Sequence, residues 1–180
     1  MTSTRTRILH MTTAALFLAA ALYLPFLTGQ IPEIGNALCP MHIPVLLAGF
    51  FCGPLWGGAV GLTAPLLRSL LFGMPTLFPK ASAMAVELFV YGLMAGLLFL
   101  LFRKSKGGIY PSLLFSMLLG RAAWGGISVL FFGMKEMSFT WSYFYTEAFV
   151  LSLPGILLQL ILVPLLVVSL EGAYRRIAEP

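Results

Sequence analysis

MHIPVLLAGFFCGPLWGGAVGLTAPLLRSLLFGMPTLFP, residues 41–79, is the stretch on which the fold turns. It is apolar enough for lipid, yet Gly53-Pro54 interrupts it and Arg68 stands in it far from any membrane edge. An unpaired charge in hydrocarbon costs at least a few kcal/mol, so such charges face a bundle interior and mark a site. Gly49, Gly53, Gly57 and Gly61 recur every four residues, which places them on one flank only where the helix is continuous. Pro54 lacks the N–H that continuity needs. The stretch is read as two helices joined by a very short hinge, packed closely on their neighbours, with Arg68 aimed inward.

The surrounding composition sets the class. The chain is 59% hydrophobic and 9% charged, with a mean hydropathy of +0.97, whereas soluble domains carry about 25% charged residues. Most of it falls in runs of the ~20 apolar residues that cross a bilayer, without the alternation of a β-barrel. An all-α membrane protein follows, one integral domain over residues 1–180. Six spans are expected, at about 8–27, 41–52, 54–72, 81–102, 109–131 and 143–170, the second unusually short. Residues 28–40 between the first two are read as a polar, proline-containing loop.

Six spans place both termini on one side with Arg5, Arg7, Arg103, Lys104, Lys106, Arg175 and Arg176, leaving Lys80 and Lys135 opposite. Positive charge marks the cytoplasmic side, so both termini are expected there. The net charge of +5 then reflects topology, and no nucleic-acid partner is expected. No convincing cleavage site follows Arg5 and Arg7, so the first run is read as a retained helix. Cys39 and Cys52, at opposite ends of one expected helix, lie roughly 20 Å apart, too far for a disulfide. In the first span Ala14, Ala15, Ala19, Ala20 and Ala21 form a small-residue surface. Such surfaces let helices approach closely in lipid, either within the bundle or against a partner.

Counting helical rise puts Arg68 about 21 Å from the cytoplasmic face. Glu87 falls one to two turns below the outer end of the fourth span, Arg121 half way up the fifth, and Glu147 near the outer end of the sixth. His42 and Asn36 are placed to roof this cluster, with Phe78, Tyr91 and Trp124 at similar depth. Trp141 and Tyr145 fit the interfacial belt. Two buried Arg–Glu pairs would account for the charges by fixing helix packing. Such pairs often cost more in desolvation than they return, which leaves a ligand site as the other account. Catalysis fits poorly: there is no HExxH and no Walker A motif, and neither Ser128 nor the cysteines have a histidine at shared depth. No catalytic, metal or cofactor site is expected, and ATP-driven work must come from another chain.

The run from Met41 to Pro79, followed by MAVELFVYGLMAG, GRAAWGG, SFTWSYF and PGILLQLILVP, resembles the substrate-binding S components of energy-coupling-factor (ECF) vitamin transporters over nearly the whole chain. The resemblance implies a small bundle in a prokaryotic plasma membrane that captures a water-soluble vitamin or precursor on its outer side. It implies docking on a membrane scaffold (T) subunit served by two ATPases, followed by toppling that turns the site to the cytoplasm. Family alanines that touch the scaffold match Ala15 and Ala19. The family pocket, in the outer halves of the later helices and the loop after the first, points to Asn36, His42, Arg68, Glu87, Arg121 and Glu147. Arginines suit carboxylates and phosphates, which ranks a pantothenate-like anion first, then pyridoxine-like or hydroxymethylpyrimidine ligands. The alternative is a stand-alone secondary carrier or channel, though no inverted repeat of the carrier kind is evident.

Overall fold

The computed structural model describes residues 4–27, 31–102, 107–134 and 140–178. Arg103, Lys104, Lys106 and Lys135, and the side chains of Asn36, Arg175 and Arg176, lie outside the described residues. All regular structure among those described is helical: α1 Thr4–Leu27, α2 Pro32–Leu38, α3 His42–Cys52, α4 Pro54–Phe72, α5 Ser82–Phe102, α6 Ile109–Gly133, α7 Trp141–Tyr145 and α8 Leu153–Ala178.

Five helices, α1, α4, α5 with the turn before it, α6 and α8, are long and apolar enough to cross a membrane. Six were expected, and the shortfall is α3. Its 11 residues rise about 16 Å, half of a ~30 Å hydrocarbon core. Every residue from Met41 to Phe50 is buried, so α3 is a short rod enclosed by α1, α4, α5 and α8.

The break after α3 falls at Gly53-Pro54. Gly53 takes φ 88°, which glycine adopts without steric cost, and Pro54 opens α4 where its missing N–H has no helical partner to lose. The two helices fold back as a hairpin, and the glycines flanking the hinge meet. A Cβ added at Gly49 or at Gly57 would stand 2.5 Å from the Gly92 carbonyl oxygen. Farther along, Gly61 rests on the Leu88 carbonyl and Gly96 on Gly53-Pro54. The four-residue repeat is thus the seam between the α3–α4 hairpin and α5, close-packed because lipid supplies no hydrophobic drive between helices. Gly57→Ala is expected to destabilise the protein by about 1–3 kcal/mol, as overpacking does. Gly126→Ala, where a Cβ meets nothing within 4 Å, should not lower the melting temperature. Equal melts for the two variants would remove the seam.

Two segments depart from the sequence reading. The loop expected over 28–40 contains α2, opened by Pro32. The span expected over 143–170 is interrupted: α7 and a wide helical turn, Thr146–Leu151, lead to Ser152 with φ −89° and ψ 4° before α8 begins. Pro154 supplies the cause, since its ring excludes the carbonyl of Val150 and it cannot donate to it.

The rings of His10 on α1 and Tyr174 on α8 are 6.3 Å apart, so the start of α1 and the end of α8 share one end of the bundle. The main polar cavity opens towards the other.

Candidate functional site

That cavity encloses about 330 Å³. Around it stand the end of α1, the turn before α3, the end of α4 with its following loop, the start of α5, the second half of α6 and the α7–α8 break.

Glu87 is the centre of its floor. One carboxylate oxygen accepts from Arg121 Nη1 at 3.0 Å and lies 3.4 Å from His42 Nε2. Glu87 and His42 are 2% and 3% exposed, so the carboxylate is held out of solvent and neutralised by a neighbouring helix. Arg121 Nη2 also reaches the Cys39 sulfur at 3.7 Å. Burial pushes the Cys39 thiol up, against the pull of the Arg121 guanidinium, so the sulfur meets Arg121 as a neutral acceptor. Cys39 sits at the end of α2 with φ 47°, which turns the chain down into α3. Behind His42, and edge-on to it at 5.0 Å, lies the fully buried Tyr91 ring.

Arg68 stands apart from this floor. Its Nη1 donates to the Leu22 carbonyl at 2.7 Å, and its guanidinium lies 5.0 Å from the Phe26 ring centroid and 5.6 Å from that of Phe72. Only two ion pairs occur among the described residues, both to Glu87, so no carboxylate there neutralises Arg68. Glu147 lines the cavity half-buried on the turn before α8. It too makes no ion pair among the described residues.

Of the residues singled out from the sequence, His42, Arg68, Glu87, Arg121, Trp124 and Glu147 line this one cavity. Phe78 and Tyr91 do not. Phe78, extended at φ −126° and ψ 131°, turns onto Phe131 with ring centroids 5.1 Å apart, and Tyr91 is shielded by His42. Lys80, Met84, Phe132 and Tyr143 line the cavity and were not singled out. Lys80 carried the one available signal, a cation in a short loop facing away from the basic end. A second cavity of about 400 Å³, near the termini, is lined by His10, Cys52, Phe99 and Tyr174 among others and gathers none of the residues singled out as substrate-binding.

An all-helical bundle with several lipid-length helices around a charged cavity open at one end has the form of a multi-pass membrane protein. The sequence model of the family described as "ECF transporter, substrate-specific component" matches residues 9–167. The chain belongs to that family, and is therefore a transporter subunit that associates with an ECF module. No curated protein and no solved structure matches it.

Proposed function

We propose that this chain is the substrate-binding subunit of an ECF importer in a prokaryotic plasma membrane, and that it captures a small anionic vitamin or precursor in the 330 Å³ cavity. A pantothenate-like ligand ranks first. Both termini lie at the cytoplasmic end, the cavity faces outward, and ATP is consumed by partner ATPases reached through a T scaffold. The volume sits at the small end of the ~300–1,000 Å³ typical of ligand pockets.

The observation that carries the ligand's charge is the unequal state of the two arginines. Arg121 is already matched by Glu87, whereas among the described residues Arg68 meets only a backbone carbonyl and two aromatic faces. A buried guanidinium without a counter-ion is a site for a carboxylate or phosphate. The family match also weighs against a self-contained carrier or channel.

Titration calorimetry on the purified protein, without ATP or partners, tests the reading. One water-soluble vitamin or precursor should bind, and Arg68→Met should weaken it about 10- to 100-fold, the loss of a charge-assisted hydrogen bond. Methionine keeps the packing of the stem against Phe26 and Phe72. Folded protein that binds no vitamin in the panel would sink the proposal.

A further inference from the structure

We propose that the cavity takes a dipolar ligand, with its acidic group at Arg68 and hydrogen-bond donors or an ammonium group at Glu147. The proposal rests on the cavity being the substrate site and names the class of substrate.

Among the described residues, five charged side chains line the cavity: Arg68, Lys80, Glu87, Arg121 and Glu147. Glu87 and Arg121 cancel across 3.0 Å, which leaves two cations and one carboxylate to face an occupant. Arg68 is pinned to α1 through the Leu22 carbonyl, and Lys80 follows on the turn Leu77–Ala81 beyond α4. Glu147 stands elsewhere, on the turn Thr146–Leu151. That turn packs on α7 and α8, whereas the turn that carries Lys80 packs on α4, α5 and α6. The carboxylate therefore belongs to the wall formed by the α7–α8 break, and the free cations to the wall formed by α4 and its loop.

The rest of the lining decides what those walls require. Ile31, Met74, Met84, Trp124 and Phe132 supply apolar surface between the charges. An anion with an apolar tail would satisfy Arg68 and strip water from Glu147 without replacing its hydrogen bonds, and a buried unpaired charge is costly. A ligand with hydroxyl, amide or ammonium donors at its far end returns those bonds. Sites that leave a polar group unpaired against an analogue reject that analogue strongly. Glu147 thus selects within the acids that Arg68 admits.

The test uses the full chain in detergent and four probes. Pantothenate and pyridoxal 5′-phosphate carry an acidic group and donors, lipoate carries a carboxylate with a donor-free tail, and panthenol carries the hydroxyls without the acid. At least one dipolar probe should bind, with lipoate and panthenol each about tenfold or more weaker. Glu147→Ala should weaken the dipolar probe about 10- to 100-fold and leave lipoate within about twofold. A ligand-free melt checks that the variant folds, and Glu147→Gln, expected to fall between wild type and Ala, replaces it if it does not. Lipoate binding as tightly as the best dipolar probe would overturn the inference and leave the anion site standing. So would a Glu147 variant, folded, that changes no affinity. Failure of all four, with every vitamin in the wider screen, would remove the binding function itself.

Discussion

Arg121→Ala should lower the melting temperature of the ligand-free protein more than any other single change around the cavity, at a cost of about 3–5 kcal/mol. The reason is what it leaves behind. Glu87 is 2% exposed and takes its nearest positive charge from Arg121 at 3.0 Å. With that guanidinium gone, only the His42 ring at 3.4 Å remains, and an ionised carboxylate is stranded between helices. The same change strips the Cys39 sulfur of its donor, loosening the turn that starts α3. Adding Glu87→Gln to Arg121→Ala removes the stranded charge and should recover part of the loss. Arg68→Met serves as the contrast, because no carboxylate among the described residues depends on it. Melts of the four variants with and without ligand separate the roles. If Arg121→Ala melts normally and loses only ligand-induced stabilisation, while Arg68→Met melts early, the two arginines must exchange assignments.

How much of this was legible depends on which physical term decides each feature. Apolar run length decides the class, and Gly53-Pro54 decides the hinge because proline and left-handed glycine act locally. The pairing of Glu87 with Arg121 was open, since it depends on the rotation of α5 against α6 and not on depth. Two arginines and two glutamates at similar height allow several pairings. Only the packed structure, with Gly120 against the Tyr91 ring, brings Arg121 to Glu87 and leaves Arg68 with α1.

The rest was hidden for a different reason. Hydropathy is blind to a break inside an apolar run, so residues 143–170 read as one helix although Pro154 marks a fresh start. The short second span expected at 41–52 is α3, 11 residues long and below the length of a lipid-length helix, buried among its neighbours from the cavity at His42 to Cys52 near the termini. Depth along a span likewise gave no sign of the extended backbone that turns Phe78 onto Phe131.

Ala15→Trp or Ala19→Trp should abolish uptake in cells carrying the ECF partners while changing ligand affinity by less than about twofold. α1 is the least enclosed of the five candidate spans, with 17% of its most apolar window buried. Of its alanines, Ala14 and Ala21 are 3% and 0% exposed and pack against the bundle, Ala20 is half-buried, and Ala15 and Ala19 are exposed. Along the outward stripe, Ile8, Met11, Tyr23 and Leu27 are all exposed large side chains, and the two alanines form a shallow notch between them. A notch of this kind admits the close approach of another helix, and an indole in it holds that helix away. The cavity draws only Pro25 from α1, at the opposite end of the helix from His10, so its lining should not feel the substitution. Calorimetry on the purified variants and uptake in cells give the two readings. A variant that loses affinity as steeply as uptake would show the notch to be internal packing, and the partner-facing surface would then have to lie on another helix.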